Sequence, residues 1–261
     1  MTAGDLLEVA RAAAIAARDL LRTARPEHVR SKANPRDLVT EWDVRSEQAI
    51  RAVLDERAPG IPVLGEEGGG DATSRGGMRW LVDPIDGTVN FAHGLPLWCV
   101  SIALEDAGRP VVGVVVAPAL DWWFEASLGG GARDGTGAPL RVSATQELSH
   151  ALLATGFPYD RATNPHNNFA AWEHLKRAAT VRRLGAAALD LCLVAKGGLD
   201  GYWEDRLHAW DLAAGALIVA EAGGCVTDTR GGRFDAHSGE AVATNGAIHE
   251  ALVRELGKVS R

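Results

Sequence analysis

The chain has 261 residues, 46% hydrophobic and 23% charged, with a net charge of −7 at neutral pH. These are globular values, sufficient for one large domain in two closely joined lobes, split near residue 145. The acidic balance argues against a nucleic-acid partner, and no apolar run nears the roughly 18 residues of a membrane span.

Residues 5–23 carry Leu6, Val9, Ala13, Ala17 and Leu20 near helical spacing, behind Thr2 as an N-cap. A polar, turn-rich segment from Lys32 follows, briefly extended at Leu38, Val39 and Thr40. A second helix is predicted over 44–57, with Asp43 where its N-cap belongs; taken alone, Asp43 is only a cap and Lys32 a solvated lysine. The short apolar strand 61–64 runs into Gly65-Glu66-Glu67-Gly68-Gly69-Gly70, read as a mobile acidic loop.

The stretch 80–96, WLVDPIDGTVNFAHGLP, organises the rest. Trp80-Leu81-Val82 reads as a buried strand that delivers Asp83 and Asp86 to a sheet edge. Gly87 allows close backbone approach and leaves N–H groups free for an anion. Two carboxylates, bare backbone and the Thr88 hydroxyl suit a hard cation bridging to phosphate. An Asp/Gly-rich turn that merely satisfies its own backbone is the plainer alternative.

The next strands, 98–105, 110–116 and 121–127, form an antiparallel meander with hairpin turns at 107–109 and 118–121. Periodicity leaves open whether that meander is core or an interface. The glycine-rich stretches 129–131 and 134–137 read as loops. Strands are expected at 151–155, 200–204, 225–228 and 241–244, with helices at 167–178, 186–195, 210–222 and 248–256. A strand-rich middle and mixed second half predict an α+β fold of layered sheets and helices. The cysteines, Cys99, Cys192 and Cys225, are odd in number and set among apolar neighbours, so they read as reduced core residues. With Asp5 and Glu8 where a leader would be apolar, the expected location is the cytoplasm.

Asp211 stands at the head of an otherwise apolar helix, where an acid favours the helix dipole or aims a metal ligand into a crevice. Glu66, Asp83, Asp86 and Asp211, with Asp43 and Thr88 beside them, cannot sit together ionised without cations. All-oxygen donors select Mg²⁺ or Mn²⁺ over zinc.

Three blocks make this sequence similar to the inositol monophosphatase family. They are Gly65-Glu66-Glu67; Trp80 to Thr88 continued by Asn90-Phe91; and Trp210-Asp211-Leu-Ala-Ala-Gly-Ala continued by Glu221-Ala-Gly-Gly224. The wider group holds lithium-sensitive, magnesium-dependent phosphatases, including fructose-1,6-bisphosphatase. The resemblance implies an αβαβα sandwich, a homodimer and two or three Mg²⁺ ions, with Mn²⁺ able to substitute. It implies that Glu66, Asp83, the Ile85 carbonyl, Asp86 and Asp211 hold metal, and that Gly87 and Thr88 N–H groups bind phosphate. Thr88, held by Asp43, would orient the attacking water beside Glu66, and Lys32 would lie near the site mouth. For the substrate it implies the backbone around Gly185 and Ala187, together with Asp86, Asp211 and Glu204, the last accepting sugar-alcohol hydroxyls.

Ala186 replaces a common hydroxyl residue, and Gly156-Phe157-Pro158-Tyr159 stands where some members have a serine pair; both argue against strict inositol specificity. The segment between Glu66 and Asp83 is also shorter than in many members. The expected activity is Mg²⁺-dependent hydrolysis of a small phosphorylated polyol, myo-inositol 1-phosphate first. Histidinol phosphate, fructose 1,6-bisphosphate or a 3′-phosphonucleotide is the alternative within the fold. A non-catalytic binding module ranks below both, because every metal-ligand position is filled.

Overall fold

The computed structural model describes residues 1–71 and 76–259, so part of the short segment between Glu66 and Asp83 lies outside the described residues. The chain runs α1 (Ala3–Leu21), β1 (Val29–Ser31), β2 (Leu38–Thr40), α2 (Glu41–Arg57), β3 (Val63–Gly65), β4 (Met78–Asp86), α3 (Thr88–Ala92), β5 (Cys99–Asp106), β6 (Arg109–Ala117), β7 (Trp122–Ser127) and β8 (Gly131–Asp134). It continues through β9 (Leu152–Thr155), α4 (Phe169–Leu175), β10 (Thr180–Arg182), α5 (Ala187–Ala195), β11 (Gly201–Glu204), α6 (Ala209–Glu221), β12 (Cys225–Thr227), β13 (Ala241–Thr244) and α7 (His249–Leu256).

Among the described residues, β3-β4-β5-β6-β7-β8 form one sheet in that order, antiparallel except for the β3–β4 pair. A second sheet has the order β10-β9-β11-β13-β12, parallel over its first three strands. Helix α1 buries Leu6, Val9, Ala13, Ala17 and Leu21, which recur every three or four residues. Thr2 and Asp5 close a capping box at its start. With α2 it covers the Trp80, Val82, Ile102 and Val114 face of the first sheet. The opposite face, through Leu81, Ala103, Val115 and Phe124, packs on α5 and α6, whose far sides meet Ala154, Tyr202 and Ala243 of the second sheet. Leu175 of α4 and Leu252 and Leu256 of α7 cover that sheet's outer face at Leu153, Trp203 and Val242. The layers are therefore α, β, α, β, α. The long apolar runs of β4 to β6 follow from this, since a strand buried on both faces has no polar alternation. The meander is core.

Several local expectations change. Helix α2 begins at Glu41 with Thr40 as N-cap, and Asp43 is the third residue of a capping box. The Thr40 side chain competes better for the cap because its extended backbone precedes the first turn. Of the stretch read as a glycine loop at 129–131, Gly129 and Gly130 are in the turn and Gly131 opens β8, a strand absent from the sequence reading that pairs with β7. The strands β1 and β10 and the helix α3 have no counterpart in the sequence reading; β1 is exposed along its length. Ala107 and Gly108 both take positive φ, the requirement of a tight two-residue hairpin, so that turn forms where expected. Cys99 and Cys192 are buried, Cys225 is half-buried, and all three are free thiols. No helix among the described residues is long and apolar enough to cross a membrane.

Candidate active site

The centre of the site is the end of β4. Its pairing with β5 is regular through Asp83 opposite Ser101, then shifts, so that Asp86 faces Cys99. This bulge and the φ of +90° at Gly87 turn the chain out of the sheet into α3. Only glycine suits that turn. It has positive φ, and a Cβ there would lie 3.1 Å from Ala186 Cβ and 3.2 Å from the Gly185 carbonyl oxygen. The Gly87 turn and the start of α5 are thus brought against each other.

The end of β3 and the start of α6 supply the other carboxylates. Gly65 pairs with Val82, and the Glu66 N–H donates to the Val82 carbonyl at 3.1 Å, which sets Glu66 beside Asp83. Asp211 lies in the first turn of α6 and accepts from the His208 N–H at 2.7 Å. The Ser101 hydroxyl donates to the Trp210 carbonyl at 3.0 Å and fastens that turn to β5. Asp86 accepts from the Ala188 N–H at 2.7 Å, at the head of α5, and Asp83 from the Ile85 N–H at 3.0 Å. Glu66, Asp83, Ile85, Asp86, Gly87, Thr88, Gly185, Ala187, Glu204 and Asp211 all line one cleft.

Asp43 is buried directly behind the cleft. Its Oδ2 accepts from the Thr40 N–H at 2.8 Å and the Thr40 hydroxyl at 2.6 Å, and its Oδ1 lies 2.9 Å from Thr88 Oγ1. The Thr88 hydroxyl is also 2.9 Å from the Ile85 carbonyl oxygen. Lys32 reaches Glu66 at 2.7 Å and Glu67 at 2.6 Å, at the rim.

The inositol monophosphatase family pattern fits residues 4–261, and the site blocks fall inside it. The chain belongs to the inositol monophosphatase family. An inositol-1-monophosphatase of Synechocystis sp. is 42% identical over 231 residues, covering 88% of this chain and 80% of that protein. A protein of Pseudomonas aeruginosa named Nus factor SuhB is also 42% identical, over 87% of this chain and 85% of its own length. The solved inositol monophosphatase of Anabaena (Nostoc) sp. superposes with a TM-score of 0.89 at 40% identity, covering 98% of this chain and 96% of that one.

Within this family fold, the second sheet contributes Glu204. It is 8% exposed and accepts from the Tyr202 hydroxyl at 2.6 Å. Burial pushes its carboxyl up to about 7, opposed in part by the Tyr202 hydrogen bond and the Arg183 charge. A side chain at Gly156 would collide with both Glu204 carboxylate oxygens, so the glycine makes room for the acid. The Gly65–Gly70 segment is held in place. Glu47 of α2, 3% exposed, accepts from the Glu67 N–H at 2.8 Å and the Gly68 N–H at 2.9 Å, and pairs with Arg51 at 2.7 Å. Sequence reasoning missed Glu47, Tyr202 and Arg183. Glu47 looks like any helix surface acid, and its role depends on a contact about twenty residues away.

Burial, then the charges of Glu66, Asp86 and Asp211, push Asp83 far above the carboxylate range. Burial pushes Asp211 up as well, with Asp86 and Glu66 adding to it, and Asp86 rises to about 6. Each of these acids binds its proton more tightly folded than unfolded, where the value is near 4. The folded state therefore holds more protons as pH rises above that value, and stability falls through about 6 for Asp86 and about 7 for Glu204. Protein stripped of cations by a chelator is expected to melt several degrees higher at pH 5.5 than at pH 8. Equal melting temperatures at the two values would show that the cluster carries no such charge.

Proposed function

We propose that this protein is a Mg²⁺-dependent phosphomonoesterase acting on myo-inositol 1-phosphate and related polyol phosphates. The observation that carries the reading is one cleft in which four acids, a left-handed glycine turn and a buried Glu204 converge. Family membership supports phosphatase chemistry on small phosphorylated substrates. Among the described residues, no three acidic, His or Cys side chains are already gathered as an ion cage. The donor set nevertheless fits hard cations. It is all oxygen, and its mutual repulsion, visible in the raised Asp83 and Asp211, is what divalent charge relieves.

Glu66, Asp83, Asp86, Asp211 and the Ile85 carbonyl would hold two or three Mg²⁺ ions. Bound there, these ions would supply Lewis acidity to the phosphate and lower the pKa of water. The N–H groups of Gly87 and Thr88, at the start of α3 and so without intrahelical partners, would receive phosphate oxygens. Thr88 donates its hydroxyl proton to Asp43, and its lone pairs would then be free to orient the attacking water. Asp43 is kept ready by Thr40; burial raises its carboxyl, and the hydrogen bonds from Thr40 and Thr88 oppose that rise. Lys32, paired with both Glu66 and Glu67, would compete with a cation for Glu66.

Glu204 and the backbone at Gly185 and Ala187 would meet the hydroxyls of the leaving group. Glu204→Gln is expected to raise KM for myo-inositol 1-phosphate tenfold or more, about 1.4 kcal/mol of discrimination, with kcat nearly unchanged. Phosphate release from inositol 1-phosphate, histidinol phosphate, fructose 1,6-bisphosphate and adenosine 3′,5′-bisphosphate, with and without Mg²⁺, tests the whole reading. A lead by any substrate other than the inositol ester assigns the pocket elsewhere, and no turnover with metal present overturns the enzyme. A cytoplasmic homodimer accompanies the proposal.

A further inference from the structure

The wall behind Glu204 holds an acid that the proposed chemistry does not use. Asp190 lies in the first turn of α5, is 2% exposed, and its Oδ1 has no hydrogen-bond partner. A buried carboxyl oxygen without a donor is unfavourable by a large margin, so such a group is retained for a reason.

Its surroundings supply one. Helix α5 packs on β11. Along β11 the side chains alternate, so that Tyr202 faces α5 within the central core while Trp203 faces α4 and α7. Glu204, two residues on, shares the Tyr202 face and accepts the Tyr202 hydroxyl. Asp190 lies within electrostatic reach of Glu204 and Tyr202, with Arg183 the countering cation and Asp86 a further anion. Both acids are buried, and a neighbouring negative charge disfavours the ionised form of each. Burial, with the Glu204 charge added, pushes Asp190 upward, in the direction that favours the form carrying an O–H.

We infer that Asp190 is a positioning residue for substrate selection, completing a buried carboxyl–phenol–carboxyl set with Tyr202 that fixes Glu204 toward a hydroxyl-bearing leaving group. This rests on the reading of Glu204 as the polyol acceptor. Asparagine at 190 keeps the shape and a donor; alanine removes both.

The test compares wild type, E204Q, D190A, D190N, Y202F and the double variant E204Q/D190A with Mg²⁺. The substrates are myo-inositol 1-phosphate and p-nitrophenyl phosphate, whose leaving group carries no alcohol. D190A and Y202F are expected to raise KM for the inositol ester at least fivefold, with kcat within twofold and p-nitrophenyl phosphate kinetics unchanged. D190N should stay within twofold of wild type, and D190A should add nothing in the E204Q background. Equal losses on both substrates, or an undiminished D190A effect on top of E204Q, would overturn the inference in favour of a purely structural acid. If D190A does not fold, Y202F decides: a folded Y202F with unchanged KM overturns it. If E204Q itself leaves KM unchanged, the Glu204 reading fails and the inference falls with it. If E204Q raises KM and D190A does not, only the inference falls.

Discussion

Asp83→Asn is expected to lower turnover by about a thousandfold or more, roughly 4 kcal/mol of barrier, while the protein stays folded. Asparagine keeps an oxygen for the Ile85 N–H, now 3.0 Å from Oδ1, and matches the volume of a side chain that is 2% exposed. It removes the charge at the point where the fields of Glu66, Asp86 and Asp211 add. The same loss relieves repulsion, so chelated Asp83→Asn should melt above chelated wild type at pH 8. Stability and turnover then move in opposite directions, as expected where a site is assembled against local electrostatics. Full activity in this variant would remove the two-metal assignment; a lower melting temperature would remove the electrostatic account and leave the assignment standing.

Gly215→Val is expected to destabilise the protein by about 3 kcal/mol and to abolish most activity without touching the cleft. Gly215 lies in α6 where it crosses α5. A Cβ there would stand 2.6 Å from Leu191 Cβ and 2.7 Å from Leu191 Cδ1. The first of these atoms is fixed to the α5 backbone, so the two helices must separate. Helix propensity favours a residue other than glycine by at most about 1 kcal/mol, so the overlap outweighs it. Both helices deliver site groups, Asp211 from α6 and the Ala188 N–H on Asp86 from α5. Urea denaturation and phosphate release on the same preparation check both halves. An unchanged midpoint would mean that the helices yield without loss.

Much of the site is legible in the sequence because its signals are local. A strand buried on both faces writes a continuous apolar run, and Asp83, Asp86 and Gly87 follow it within a few residues. Asp211 is visible as a lone acid at the head of an apolar helix; Asp190 stands in the same place one helix earlier, yet the sequence reading does not single it out. What stays hidden depends on contacts distant in sequence. Nothing near Glu47 announces that it holds the Glu67 and Gly68 N–H groups. Nothing near Glu204 announces Gly156 or Arg183. Strands such as β1 and β10, three residues long and largely exposed, have no room for a period of two to appear. The placement of Asp43 as a cap was off by three positions because Thr40 and Asp43 are both capable cap residues. The geometry of the turn selects the first.

The two oxygens of Asp43 have different employers: Oδ2 closes the start of α2 through Thr40, and Oδ1 meets the Thr88 hydroxyl proposed to orient water. Heritable variation at this position is therefore filtered twice. A longer acid would keep the charge but move one oxygen or the other; an amide would keep the shape but turn a donor toward one of two hydroxyls. A lineage drifting toward a new substrate can exchange the cleft wall around Glu204 residue by residue, since those contacts are spread over separate elements. It cannot re-cap α2 without disturbing the Thr88 hydroxyl, so the helix start and that proposed role are inherited as one unit.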